Sequence, residues 1–109
     1  MGSSKNAPLT EAVYYILLSL HNPLHGYGIM QNIKKLTDGR LNIGAGTLYG
    51  AINTLISKGY ISEYSSDPAK KEYIITDDGK AVLETELNRL RELVTNGENL
   101  LGGKNNEQE

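Results

Sequence analysis

With 109 residues, 39% of them hydrophobic and 22% charged, the chain suits one small domain plus one appended element and is too ordinary in composition for wholesale disorder. It has no Cys, which excludes disulfides, thiolate metal sites and Cys nucleophiles and fits a reducing compartment; no apolar run approaches the roughly 18 residues of a membrane span. The net charge of −2 hides an asymmetry: residues 1–75 hold seven Lys/Arg and five Asp/Glu, residues 76–109 four and eight, so a mildly basic body precedes an acidic end.

The opening "MGSSKNAP" is polar and lacks the apolar core of a secretory signal, so the chain reads as soluble and cytoplasmic, with a flexible start over 1–9. Thr10 is placed to cap a helix over about 11–21. Its stripe is Val13, Ile16, Leu17 and Leu20, widened by Ala12, Tyr15 and Leu18. Pro23 ends it. A second helix is predicted over about 26–37, with Ile29, Met30, Ile33 and Leu36 inward, Lys34 and Lys35 near its end, and Gly39 as its stop. A third spans 45–58, with Gly59 just past its end. "YISEYS" and "KKEYIIT" read as two short strands around the turn-rich "SDPAK". Thr76 caps a last helix over 77–101, with Asp77 and Asp78 in its first turn, and 102–109 reads as a disordered tail.

The third helix has an unusual outer face. Leu48, Ile52 and Leu55 form a core stripe, edged by Ala51 and Ile56. Opposite lie Gly46, Thr47, Gly50, Asn53, Thr54 and Ser57, where a solvated face normally carries Lys and Glu. Three short helices, a hairpin and a long helix make a mainly α chain with the order of a winged helix-turn-helix, residues 10–76, followed by a long C-terminal dimerisation helix, 77–101. In that fold the third helix enters the major groove of DNA. Gly46 and Gly50 permit close backbone approach, and Thr47, Asn53 and Thr54 can hydrogen-bond base edges. The N–H groups at the helix start can meet a phosphate. Tyr49 lies beside the polar face with a hydroxyl in reach of the backbone, and Lys70 and Lys71 supply charge from the wing. The same face would also serve an intramolecular or protein contact, so a winged-helix protein-interaction module without DNA binding stands as the alternative. A ligand sensor with no DNA role is a third reading.

At "HGYGI", "GTLYGAINTLISKGYI" and "KKEYIITDDGK" the chain resembles the PadR family of bacterial transcriptional regulators. The matching pieces are Gly26-Tyr27; Thr47-Leu48-Tyr49; Leu55 with Gly59 to Ile61; and Tyr73, Ile75, Thr76 and Gly79. The resemblance covers about residues 10–101. It implies a homodimeric repressor that binds a palindromic operator with the third helix and wing, through Gly46, Thr47, Tyr49, Gly50, Lys70 and Lys71. Asp67 and Glu72 make this wing less basic than the family's often are.

In the last helix, Leu83, Leu87, Leu90, Val94, Gly97 and Leu101 follow at steps of 4, 3, 4, 3 and 4, an a/d seam broken by Gly97 and broadened by Leu93 and Leu100. A partner chain is the simplest cover, which makes Leu83, Leu87, Leu90, Val94 and Leu101 dimerisation residues; the competing cover is the chain's own first helix. The resemblance is to a short PadR subclass with one C-terminal helix. Some of its members hold flat apolar ligands at the dimer centre on a Trp that aligns with Leu90. The corresponding pocket here is Val13, Leu87, Leu90 and Val94, without the stacking ring; a closed leucine interface is the other arrangement.

His21 and His25 have a metal-ligand spacing, but Pro23 separates them and no carboxylate lies near in sequence, so no metal or other cofactor is expected and His25 reads as a cap or packing group. "GAG" at 44–46 lacks the remainder of a nucleotide-binding loop. No set of His, carboxylate and nucleophile suggests an enzyme.

Overall fold

The structure, a computed structural model, describes residues 7–65 and 67–102. Most of the expected flexible start and nearly all of the expected tail lie outside those residues. The elements are α1 (Glu11–Ser19), α2 (Gly26–Leu36), α3 (Ala45–Lys58), β1 (Ile61–Ser65), β2 (Glu72–Ile75) and α4 (Asp77–Gly97); Glu98–Gly102 forms a π-helical turn. The molecule is a winged helix carrying a long terminal helix, 61 Å in its longest dimension.

Local chemistry sets the boundaries. The Thr10 and Thr76 hydroxyls accept from the N–H groups of Val13 and Gly79 at 3.1 and 3.0 Å, capping α1 and α4. Thr76 also donates to the Gly59 carbonyl at 2.6 Å. Gly59 closes α3 at φ +80°, a conformation that a Cβ would strain. Pro68–Lys70 form a 3-10 turn at the tip of the wing. β1 and β2 pair antiparallel from Ile61 opposite Ile75, with a bulge between Glu63 and Ser65. The other edge of β2 is covered as well. Tyr73 exchanges two backbone hydrogen bonds with Leu24 (2.9 and 3.1 Å), and the Ile75 N–H donates to the Leu20 carbonyl at 2.9 Å. The loop between α1 and α2 thereby removes a bare strand edge.

The core joins Ile16, Leu17 and Leu20 with Ile29 and Ile33 of α2, Leu48, Ile52 and Leu55 of α3, and Ile61, Tyr73 and Ile75 of the wing. At roughly 1.5–3 kcal/mol per buried side chain, this apolar burial is the main favourable term. Its polar intruder, Ser19, is satisfied: it donates to the Tyr15 carbonyl at 2.8 Å and accepts from Asn32 at 2.9 Å. Four expectations are corrected. Leu36 is 52% exposed at the last position of α2, where Thr37 is the part-buried residue instead, donating to the Ile33 carbonyl at 2.9 Å and accepting from the Leu41 N–H at 3.1 Å. Leu18 sits at an exposed rim rather than widening the core. α1 ends at Ser19 rather than near 21, with the Leu20 N–H closing onto Leu17. The last α-helix stops at Gly97 and continues to 102 as the π turn.

Candidate nucleic-acid interface

α3 turns its apolar stripe fully inward, so its other face is committed to the surface. Leu48 and Ile52 are buried, while Gly46, Thr47, Gly50, Asn53 and Ser57 are exposed. Thr54, also exposed, spends its hydroxyl on the Gly50 carbonyl at 3.2 Å. Gly44 caps α3 with no side chain, whereas Thr10, His25 and Thr76 cap α1, α2 and α4. The first N–H groups of α3 therefore receive no capping side chain and open beside the small polar face.

Tyr49 is 43% exposed and leans off this face toward the wing. Its ring lies over Gly26, the first residue of α2: a Cβ there would stand 2.6 Å from Tyr49 Cζ and nearer still to the hydroxyl. His25, Gly26, Tyr27, Tyr49, Pro68, Lys70 and Lys71 line one groove of about 500 Å³ between α2, α3 and the wing. The structure thus brings Tyr49, Lys70 and Lys71 together. Gly46, Thr47, Gly50 and Asn53 follow along the same helix outside that groove.

Electrostatics of the wing are mixed. Lys70 is exposed, while Lys71 pairs across the hairpin with Glu63 at 3.6 Å, both half exposed, an arrangement that contributes little to stability. Asp67 builds the turn: it accepts from the Ala69 N–H at 3.0 Å and donates its own N–H to Ser65 at 3.2 Å. Burial pushes the Tyr73 phenol above its usual range; Lys71 opposes this, and Tyr49 and Glu63 add to it. Its hydroxyl therefore stays protonated at neutral pH.

The histidines act separately. His25 Nδ1 accepts from the Gly28 N–H at 3.0 Å and caps α2, while His21 Nδ1 lies 3.3 Å from the Leu18 carbonyl. Among the described residues, no group of three or more His, Cys, Asp or Glu gathers as a metal site. Tyr27, known from the sequence only as a motif letter, is 61% exposed at the groove's lip, where its hydroxyl accepts from Gln31 at 3.2 Å. A single exposed tyrosine on a helix has no period to announce it.

α4 has two halves. Leu83 packs on the core, and Glu86 is 5% exposed, held by Arg89 at 2.9 and 2.6 Å. Those hydrogen bonds, with the backbone of Leu9, keep the Glu86 carboxyl below the usual range against the opposing effect of burial. Farther out, Leu87, Leu90 and Val94 line an open hollow of about 370 Å³ with Arg91 and Thr95. Val13 lies elsewhere, in a hollow of about 310 Å³ between α1 and α3. A single chain does not bring Val13 to the other three. Leu93, Val94, Leu100 and Leu101 are 52, 57, 83 and 88% exposed. No helix among the described residues is long and apolar enough to cross a membrane.

Residues 15–85 match the model of the transcriptional regulator PadR-like family. An uncharacterised 37.1 kDa protein in a Streptomyces fradiae transposon is 32% identical over 84 residues, 76% of this chain but 24% of that protein, so the chain spans about a quarter of this relative. Among solved structures, a transcriptional regulator from Clostridium thermocellum is similar at 27% identity and TM-score 0.67, over 84% of this chain and 91% of that one. A PadR family transcriptional regulator from Eggerthella lenta is similar at 29% and 0.62, over 84% and 81%. A winged-helix DNA-binding protein from STIV, at 24% and 0.65 over 79% and 95%, shares the fold.

Proposed function

The chain belongs to the PadR-like family of transcriptional regulators, and from that premise we propose that it is a repressor that binds a palindromic operator as a homodimer. The observation that carries this reading is the outer face of α3, small, polar and exposed, beside a wing that offers Lys70 and Lys71. Gly46 and Gly50 let the helix backbone approach the duplex, Thr47 and Asn53 hydrogen-bond base edges, and the uncapped start of α3 meets a phosphate. Tyr49 reaches the backbone with its hydroxyl. Lys70 and Lys71 position without specifying. A second copy covers Leu83, Leu87, Leu90, Val94 and Leu101. The hollow at Leu87, Leu90 and Val94, completed by Val13 of a second copy, is where a small apolar ligand would act to release the operator. Residues 10–76 form the reading unit and 77–101 the pairing unit.

The test is fluorescence anisotropy of the protein against the duplex upstream of its own gene and against a scrambled duplex, at two salt concentrations. Tight binding that prefers the upstream duplex and weakens steeply with salt supports the reading, because phosphate contacts release counterions. Absence of binding to either duplex at low salt overturns it and turns the α3 face into a protein-contact surface.

A further inference from the structure

Gly26 is buried, yet its backbone is ordinary: the positive-φ residues of the described chain are Asp38, Gly39 and Gly59. At such a position alanine is normally welcome, since it raises helix propensity and narrows the unfolded ensemble. What bars a side chain here is Tyr49, whose Cζ and Cε1 would lie 2.6 and 3.1 Å from a Cβ. The ring occupies the volume that any other residue would fill. The segment beneath it is fixed in turn, because Leu24, two residues earlier, is bonded twice to Tyr73 of β2. Tyr49 thus sits on a floor made by α2 and tied to the wing, in the groove that also holds Lys70 and Lys71.

We propose that Gly26 is a positioning residue for DNA recognition: its missing side chain seats the Tyr49 ring between α2 and the wing and so fixes where the Tyr49 hydroxyl meets the duplex backbone. This rests on the reading of α3 and the wing as the DNA face. Gly26 acts through Tyr49 alone and makes no contact of its own. A merely structural glycine would lower stability without changing the affinity of the folded protein, and would do so whatever stands at position 49.

The test uses four full-length proteins: the parent, Gly26→Ala, Tyr49→Ala and the double variant. Each is melted thermally and titrated with the upstream duplex at low salt, at a temperature where it is folded. In the parent background, Gly26→Ala is expected to lower Tm and to weaken binding about tenfold, the scale of one lost hydrogen bond to a charged group. In the Tyr49→Ala background the same change is expected to leave affinity unmoved and to leave Tm unchanged or higher, because the Cβ enters vacated space. Equal losses in both backgrounds, or unchanged affinity in the parent background, overturn the proposal. If Gly26→Ala alone does not fold, the Tyr49→Ala pair decides: a neutral or raised Tm supports the seat and a lowered one overturns it. A parent that binds no duplex while the melts still reverse sign means that the DNA reading has failed and the positioning role falls with it. A parent that binds without that reversal overturns the seat and leaves the DNA reading intact.

Discussion

The inner and outer halves of α4 carry the same apolar spacing in opposite surroundings. Leu83 meets the core, and Glu86 is buried against Arg89 and the backbone of Leu9. About two turns beyond Glu86, Leu93 and Val94 are more than half exposed, and Leu100 and Leu101 almost wholly so. A stripe of this period says that something covers it, not what does. Here α1 covers the first half, and the rest is left as a contiguous apolar edge of the kind that marks an interface. The difference is one of cover: the winged-helix body buries its apolar stripes within one chain, and the outer half of the last helix does not.

The largest effect should come from breaking that edge. Leu90→Asp with Val94→Asp is expected to leave the melt of the body nearly intact, to give a monomer in sedimentation, and to weaken operator binding by about 10²-fold or more, because two linked half-sites become two separate ones. The mirror experiment cuts the body. Leu48→Ala, at a site with no exposure, is expected to cost about 3 kcal/mol in urea unfolding.

Smaller changes sharpen the boundary between the halves. Thr76→Ala removes the cap that joins wing to α4 and should cost about 1 kcal/mol. Glu86→Gln should cost about 1 kcal/mol near neutral pH. The Glu86 carboxyl is lower in the folded than in the unfolded chain, so its contribution is full above the ordinary Glu value of about 4.3 and fades as pH falls through the lower folded value. Below about pH 4.5 the parent should therefore lose urea resistance more steeply than Glu86→Gln. Smallest of all, Lys70→Ala should weaken binding to every duplex alike and flatten the salt slope by about one unit.

Much of this was legible because it is local. The bounds of α3, its stop at Gly59 and the caps at Thr10 and Thr76 are decided by neighbours within four residues, and they stand as read. What spacing could not show is contact between distant segments. Gly26 and Tyr49 were legible as letters of two motifs, but only the fold reveals that one makes room for the other. Gly79 is similar, since a Cβ there would strike the Tyr60 carbonyl. Ile43 lies buried in a loop, where no period marks an inward residue, and Leu36 keeps the inward period yet is exposed at the end of α2, where Thr37 bonds to Ile33 and Leu41 instead. For the candidate site, the sequence located the polar face of α3 and both wing lysines. It did not reveal that Glu63 takes up Lys71 or that His25 and Tyr27 complete the groove.

The number of chains on one duplex tests this difference most directly. Sedimentation of the protein with saturating upstream duplex is expected to give two chains per duplex, their α3 faces in successive major grooves about 34 Å apart. One chain per duplex at saturation, with a free monomer at micromolar concentration, would contradict it.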